Sequence, residues 1–444
     1  MTTLSLTRPR VLARTGLCAV LGANGALVTV LFAEAGPSAH PLISVGRLFG
    51  LYGALLMAFQ LVLVARLPWL DRRLGMDRLT SLHRWTGFGV LWLLLGHMVF
   101  IAFGYAGLSG VGPVGELVTL AETTEGVLQA IVAFALILMV GVVSARVARR
   151  RLAYETWHFI HLYTYIAVVL AFSHQIAVGS SFVESPFARA YWWALWGGAL
   201  GAVLLGRVVL PLWRNFRHRL RVSAVVPESD QVVSVYVTGR NLDRLPAKAG
   251  QFFIWRFLAK GRWWAANPFS LSAAPDGKSL RLTAKALGDG SASLRHIKPG
   301  TRVFAEGPYG AFTTMHQTKQ NALLVAGGVG VTPIRALLEE IRGHVVVLYR
   351  VNKQDDAVLL RELSDLARSR GAVLHLLTGP VTALDAHGNV LLSPQNLSGL
   401  VPDVSDRDVF VCGPPPMTAA VLRSLRELGV PREQVHAERF SLAS

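Results

Sequence analysis

Six almost unbroken apolar stretches crowd the first half of the chain, at roughly 12–33, 43–66, 85–106, 126–147, 157–178 and 190–213. Each approaches the ~20 residues a helix needs to cross the hydrocarbon core of a bilayer. Backbone groups in lipid must be satisfied within the chain, so runs of this length are expected to be helices. A bundle of six membrane-spanning helices is the expected architecture of this half. The first run has a second reading, because Ala33-Glu34-Ala35 resembles a signal-peptide cleavage site after a basic start. Its apolar stretch is longer than the usual signal core, which favours a span.

Lysine and arginine total 44 against 27 aspartates and glutamates, a net charge of +17. An excess of this size points to nucleic acid or to a membrane surface. Only 16% of residues are charged and 52% are hydrophobic, which excludes a disordered chain and argues against a purely soluble one. The basic residues also keep to one side. Arg8, Arg10 and Arg14 precede the first run, and Arg72, Arg73 and Arg78 lie between the second and third. Arg146, Arg149, Arg150 and Arg151 follow the fourth; Arg214, Arg217, Arg219 and Arg221 follow the sixth. Residues 104–125, by contrast, hold no lysine or arginine and carry Glu116, Glu122 and Glu125. The positive-inside rule then puts both termini in the cytoplasm, and no nucleic acid is needed to explain the charge. The two cysteines, Cys18 and Cys412, supply neither a disulfide framework nor a zinc site.

Ionisable side chains inside a membrane span are expensive and are read first as functional. The third run opens on His83-Arg84-Trp85-Thr86-Gly87 and carries His97; the fifth contains Trp157-His158-Phe159-Ile160-His161 and then His174. Neutral imidazole is a good axial ligand for haem iron, and two imidazoles per haem leave the iron without an open position. Polar packing between helices is the plainer reading of one such histidine, but a poor one for four at matched depths. His83 and His97 are 14 positions apart. At ~100° and ~1.5 Å per residue they share a face within about 40° and stand roughly 20 Å apart along the axis. That suits two haems stacked across one bilayer.

His161 and His174 are 13 positions apart, a similar rise but a phase difference of roughly 140°. A straight helix does not accommodate this. A local π or 3₁₀ irregularity, or approach from different sides, is required. His158, one turn before His161, competes with it; His161 is preferred because its separation from His174 better matches the other pair. His40 reads as solvated. The orientation pairs His83 with His161 near the cytoplasm and His97 with His174 near the outer face. Arg84 can neutralise a propionate of the inner haem, and Arg47 can serve the outer haem or an anionic acceptor. Snorkelling to the interface is the alternative for both arginines.

Beyond Arg221 the texture changes to short β-rich runs, such as Val232–Val237 and Ser279–Thr283, broken by glycine and proline turns. A small antiparallel barrel is expected there. From about Gln320, the apolar runs 322–326, 344–349 and 408–411 read as buried parallel strands alternating with helices. The run Ala326-Gly327-Gly328-Val329-Gly330-Val331-Thr332-Pro333 is a strand end, a glycine turn and a helix start. Such a turn lets backbone N–H groups approach a pyrophosphate at a helix N-terminus. Thr332 is expected as the N-cap and Pro333 as the first helical residue. A second strand end, Val411-Cys412-Gly413-Pro414, follows about 80 residues later. Ligands gather at paired strand ends in open α/β sheets.

Upstream lie Gly250-Gln251, Asn267-Pro268-Phe269-Ser270, Lys285 with Gly290-Ser291, and Gly307-Pro308-Tyr309-Gly310. In this order residues 222–444 resemble the ferredoxin–NADP reductase family, whose barrel carries FAD and whose α/β domain carries a nicotinamide nucleotide. The resemblance implies that Gly250, Gln251, Asn267, Pro268, Phe269 and Ser270 serve the flavin, with Lys285, Gly290 and Ser291 near its diphosphate. Gly327, Gly328, Gly330 and Thr332 would hold the nicotinamide dinucleotide, with Cys412 and Gly413 beside the nicotinamide. Phe440 matches the aromatic residue that covers the flavin. Ser270, Cys412 and Phe440 are thus the candidate catalytic residues. Asn267 departs from the arginine or histidine common in the family. Arg350, with Lys353 nearby, is placed to meet a ribose 2′-phosphate, which favours NADPH, whereas Asp355 and Asp356 keep NADH open.

Both halves together resemble the ferric reductase and NADPH oxidase superfamily, whose pattern pairs histidines of the third and fifth spans at these same spacings. The implied organisation is a transmembrane di-haem domain at 1–214, an FAD-binding β-barrel at 215–318 and an NAD(P)H-binding α/β domain at 319–444. The implied activity is electron transfer from cytoplasmic NAD(P)H through FAD and two haem b groups, across a bacterial-type plasma membrane. The acceptor is molecular oxygen, giving superoxide, or a ferric chelate. A haem-binding redox sensor or assembly partner without turnover is the alternative of another class.

Overall fold

The computed structural model describes residues 9–145, 151–152, 154–180, 185–286, 288–380, 382–385 and 388–439. Arg8, Arg146, Arg149, Arg150 and Phe440 lie outside the described residues. The first half is helical: α1 (Pro9–Glu34), α2 (Pro41–Val64), α3 (Pro68–Leu74), α4 (Met76–Ser109), α5 (Pro113–Thr123), α6 (Val127–Ser144), α7 (Tyr154–His161), α8 (Tyr163–Val178) and α9 (Pro186–Leu204). A π turn, Leu205–Val209, carries α9 into α10 (Leu210–His218), so the boundary expected after residue 214 falls within a helix. Proline opens α2, α3, α5 and α9. At a first helical position the missing N–H costs nothing and the fixed φ is already helical.

Six segments are long and apolar enough to cross a membrane, from Val11–Glu34 to Pro186–His218, and they coincide with the six apolar runs. The third is longer than its apolar run, starting at Met76 because Gly75 (φ 83°) both ends α3 and starts α4. The stretch expected as an outer loop between the third and fourth spans contains α5. Glycines let α2 and α4 pack closely. A Cβ on Gly46 would lie 2.9 Å from Ile101 Cγ1, and one on Gly104 2.6 Å from Ile43 Cγ1. Small residues let helices approach closely where lipid supplies no hydrophobic driving force.

The barrel is built from two three-stranded antiparallel sheets. One has the order β1 (Arg221–Ser229), β2 (Val232–Thr238), β5 (Ser279–Lys285). The other has the order β4 (Asn267–Ser270), β3 (Phe252–Phe257), β6 (Val303–Tyr309). Bridges Arg221–Arg302 and Leu271–Leu282 join their edges. Val235, Val237, Phe253, Trp255, Phe257 and Leu282 fill the interior.

The last unit is a five-stranded parallel sheet containing β7 (Ala322–Gly327), β8 (Val345–Val351), β9 (Val373–Thr378), β10 (Asp408–Gly413) and β11 (Val435–Arg439). Its helices include α11 (Val331–Glu340), α12 (Leu360–Ser369), α13 (Pro394–Leu400) and α14 (Pro415–Glu427). Strand order is β11-β10-β7-β8-β9, so the chain reverses direction across the sheet between β7 and β10. A crevice opens at the carboxyl ends of strands at such a reversal. Every residue of β7 and β10 is buried, which is why both read as continuous apolar runs.

The barrel docks on one end of the helical bundle, against α3 and α10, through main-chain hydrogen bonds. Asn215 holds Ala305 from both sides: its Nδ2 donates to Ala305 O and its Oδ1 accepts from Ala305 N, each at 2.8 Å. Arg72 donates to Pro246 O, its own carbonyl accepts from His316 Nε2 at 2.9 Å, and Arg214 donates to Gly307 O. Arg66 pairs with Glu306 at 2.6 Å. Asp71, 1% exposed, accepts from Gly310 N at 2.7 Å while its other oxygen has no hydrogen-bond partner.

Burial raises the Asp71 carboxyl from 3.8 to about 6, against the lowering effects of Gly310 N–H, Arg72 and Arg66. The folded protein therefore holds this proton more tightly than the unfolded chain. The stability so contributed is present below about pH 4 and is lost as pH rises towards about 6. Asp71→Asn keeps an acceptor for Gly310 and cannot ionise. It should raise the thermal unfolding midpoint above pH 6 and flatten its dependence between pH 4 and 6. A midpoint lowered at pH 7 would mean that the ionised carboxylate is what holds the interface.

Candidate functional site

The histidines meet in two pairs at two levels of the bundle. His83 of α4 and His161 of α7 have ring centroids 5.9 Å apart; His97 of α4 and His174 of α8 are 6.5 Å apart. A metal–nitrogen bond of about 2 Å on each side, plus roughly 1 Å from nitrogen to ring centre, sets opposed imidazoles about 6 Å apart. Both centroid separations match that spacing, with the ring planes at 70° and 60° to one another.

The tautomer of His97 is set by the α2–α4 contact. A Cβ on Gly50 would lie 2.8 Å from His97 Nδ1, so glycine makes room for the ring. Nδ1 donates to Gly46 O at 2.8 Å, leaving the Nε2 lone pair for a metal. In the other three, His83, His161 and His174, Nδ1 is buried with no hydrogen-bond partner.

The 13-residue spacing is accommodated by a break. The fifth span is divided at Leu162, whose N–H is shared between His158 O and Phe159 O at 3.1 Å, and whose carbonyl accepts from Tyr165 N at 3.0 Å. These i→i+3 bonds make a local 3₁₀ irregularity between the two histidines, which at ~120° against ~100° per residue closes only part of the phase difference, so the two rings also point to different sides of the span. His158 is exposed and packs beside Trp157, while Trp157 stacks on His161 at 5.1 Å. Of the two competing histidines, His161 is the one that meets His83.

The expected arginines part company. Arg47 donates to Ser38 and to Ser180 Oγ at 2.8 and 2.7 Å, tying the start of α2 to the end of the fifth span beyond His174. Arg84 is exposed on α4. Arg207, inside the sixth apolar run, lies within electrostatic range of both His83 and His161. Sequence reasoning overlooked it, although an arginine within a span carries the same warning as a histidine.

In the α/β unit the two strand-end turns touch backbone to backbone. A Cβ on Gly330 would lie 2.2 Å from Cys412 O, one on Gly327 2.4 Å from Met417 Sδ, and one on Gly413 2.6 Å from Met417 Cε. Gly328, at φ 53°, has open space where a side chain would project. One expectation is corrected. Helix α11 begins at Val331, because a 3₁₀ turn at Gly328–Gly330 runs directly into it. Thr332 is therefore helical, not the cap, and its hydroxyl donates to Val329 O at 3.0 Å.

On the barrel, Phe269 and Ser270 end β4, and Ser270 Oγ is buried without a hydrogen-bond partner. Pro268 is exposed, and Asn267 donates to Trp255 O and Ala265 O. Lys285 ends β5, just before a helical turn at Asp289–Ala292 containing Gly290 and Ser291; Arg262 donates to Gly290 O and Ser293 O around it. Gly250 and Gln251 face inward instead. A Cβ on Gly250 would lie 1.9 Å from Phe312 O, and the Gln251 amide bridges Lys248 N and Gly310 O.

Cys412 is fully buried, which pushes its thiol well above the ordinary range and keeps it protonated. Beside it across the ladder stands Glu438, whose carboxyl is pushed up to about 8 by burial and then by Asp77 and Asp71. Its Oε2 has no hydrogen-bond partner. Glu438 lines a cavity of about 360 Å³ where the α3–α4 turn, the barrel and the parallel sheet meet. Nothing in its sequence context marked it out, since the neighbouring carboxylates come from distant parts of the chain. Arg350 is 8% exposed and already donates to Gly379 O through Nε, at 2.9 Å, and to Asn352 Oδ1 through Nη2, at 2.6 Å.

Two family profiles match the chain. One, described as "Ferric reductase like transmembrane component", covers residues 49–172; the other, "Oxidoreductase NAD-binding domain", covers residues 324–423. Among curated proteins, ferredoxin–NADP reductase B of Sorangium cellulosum is 33% identical over 190 residues, which are 39% of this chain and 77% of that protein. The ferredoxin reductase component of 3-ketosteroid-9-alpha-monooxygenase from Mycobacterium tuberculosis is 34% identical over 243 residues, 50% of this chain. The match spans 64% of the length of that relative. A solved ferredoxin NADP+ reductase from Neisseria gonorrhoeae with bound FAD and NADP overlaps 50% of this chain and 98% of its own, at 18% identity and a TM-score of 0.41. With a ferric reductase-like membrane component ahead of a ferredoxin reductase-type nucleotide domain in one polypeptide, the chain belongs to the ferric reductase and NADPH oxidase superfamily.

Proposed function

We propose that the protein carries electrons from NAD(P)H on the cytoplasmic side, through FAD and two bis-histidine haem b groups, to a one-electron acceptor outside. The observation that carries this reading is the pair of imidazole couples at metal-sharing distance, 5.9 and 6.5 Å, stacked at two levels of a bundle fused to a nucleotide-binding reductase. When bound, FAD converts the two-electron hydride of the nicotinamide into the single electrons that haem iron accepts.

The polypeptide's part is to hold and orient. His83 and His161 would hold one iron porphyrin, His97 and His174 the other. Gly328 offers its backbone to a pyrophosphate at the start of α11, and Gly327, Gly330 and Gly413 keep the two turns close enough to form one cradle. Arg350 is the group for a ribose 2′-phosphate, reached through Nη1 because Nε and Nη2 are committed. Phe269, Ser270, Lys285, Gly290 and Ser291 form the flavin side of the barrel. Glu438 keeps its proton at neutral pH on a carboxyl beside Cys412, so that strand end carries no negative charge there.

Molecular oxygen, giving superoxide, is the acceptor we favour; histidine pairs that each held an iron between them would leave it no open site, and the electron would then pass to oxygen without bonding to the metal. A ferric chelate is the second reading, favoured by the description of the matching membrane profile. Anaerobically reduced protein distinguishes them: rapid reoxidation by air with stoichiometric superoxide supports the oxidase, and reoxidation much faster with ferric chelate than with air supports the reductase.

Two variants test the assignment of residues. His97→Ala should leave one haem per protein, with the remaining low-spin spectrum intact; two haems in His97→Ala would remove the histidine from the ligand set. Hydride transfer leaves positive charge on the nicotinamide and takes no proton from its surroundings, so reduction of bound flavin by NAD(P)H should quicken as pH rises through about 8, where Glu438 ionises. Glu438→Gln should abolish that dependence and leave the step at neutral pH within about twofold, since the amide and the protonated carboxyl are both neutral. Stopped-flow absorbance reads both effects, and an unchanged pH profile in the variant would exclude Glu438 from the step.

A further inference from the structure

We propose that Arg207 and Arg66 form a cradle for a dianionic group, the two carboxylates of a porphyrin held between His83 and His161. The proposal rests on the haem reading above and deepens it. Arg207 sits in the π turn Leu205–Val209, a local widening of the helix that often marks a functional site. Its Nε donates to Val64 O at 2.8 Å, while Nη1 and Nη2 have no hydrogen-bond partner among the described residues.

The backbone is shaped to bring the two arginines together. A Cβ on Gly206 would lie 1.9 Å from Ala65 O, so only glycine permits the sixth span to approach the end of α2 this closely. Arg66, the next residue, takes a left-handed backbone at φ 58°, a conformation costly for a side chain of this size. Arg66 and Arg207 then lie within electrostatic range of each other and of Glu306.

Charge does not balance there. Glu306 already pairs with Arg66 at 2.6 Å and with Arg256. Three guanidinium groups thus share one carboxylate, and moving outward to Arg72, Arg214 and Asp71 adds more positive charge than negative. Like charges gathered in a half-buried place are unfavourable unless an anion joins them. Arg207 also lies within electrostatic range of both inner imidazoles, His83 and His161. A haem b bound there brings two carboxylates on one edge, and guanidinium is the group best matched to them. Arg84, the sequence-based candidate for this role, is exposed.

An anionic lipid headgroup offers the same chemistry, so the test separates the two sources. Full-length protein is placed in nanodiscs of zwitterionic lipid alone or with anionic lipid, as wild type, Arg207→Gln, Arg207→Lys and Arg66→Gln. Haem content, the two midpoint potentials and the rate of haem transfer to apomyoglobin are measured. Arg207→Gln should lower the potential of one haem and not the other, and speed its loss several-fold, equally in both lipids. Arg207→Lys should restore most of the potential, and Arg66→Gln should affect the same haem, which protects the test against misfolding of one variant. Wild-type values that shift with anionic lipid, and lose that sensitivity in Arg207→Gln, would assign the cradle to lipid and overturn the proposal. Unchanged potentials and haem retention in both glutamine variants would overturn it and leave the haem reading standing. A wild type that binds no haem would overturn that reading itself.

Discussion

Four half-buried imidazoles in an apolar bundle are the feature on which the rest of the membrane half depends. Each is costly alone, and two rings from α4 face two rings from the fifth span at 5.9 and 6.5 Å. Everything nearby serves that placement. Gly46 and Gly50 let α2 come close enough for a carbonyl to fix the His97 tautomer, and the break at Leu162 lets one span present histidines of different phase. The bundle is therefore a scaffold for two histidine pairs at two levels.

The second constraint is that the nucleotide-binding half must be held against the inner pair. Asn215, Arg72 and Asp71 grip the barrel through its main chain, at Ala305, Pro246 and Gly310, so the contact is insensitive to side-chain rotamers on the barrel. The same docking brings Asp71 and Asp77 towards Glu438, and their charges help to keep that carboxyl protonated at neutral pH. Docking and proton holding are thus physically linked.

Much of this was legible in the sequence because it is written in local patterns. Apolar length marked the six spans, continuous Val/Leu/Ala runs marked β7, β8 and β10, and the 14-residue spacing placed His83 and His97 on one face. The phase misfit of His161 and His174 correctly demanded an irregularity, although only the coordinates locate it at Leu162. Long-range features were not legible. Asp71 and Arg72 read as ordinary loop residues until Gly310 and His316 arrive from more than 200 positions away. Arg207 disappeared into an apolar run. Thr332 looked like a cap because its context fits one, but the 3₁₀ turn before it starts the helix earlier. Gly250 and Gln251 resembled ligand residues, whereas their contacts close the seam between barrel and sheet.

The central claim is that reducing equivalents from NAD(P)H reach iron held by these histidine pairs. The most direct measurement is the anaerobic absorbance spectrum of the full-length, FAD-loaded protein before and after NADPH or NADH is added. The account predicts low-spin haem bands corresponding to two haems per chain that become reduced on adding the nicotinamide nucleotide. A preparation with two haems that dithionite reduces and NAD(P)H does not, despite bound FAD, would contradict it.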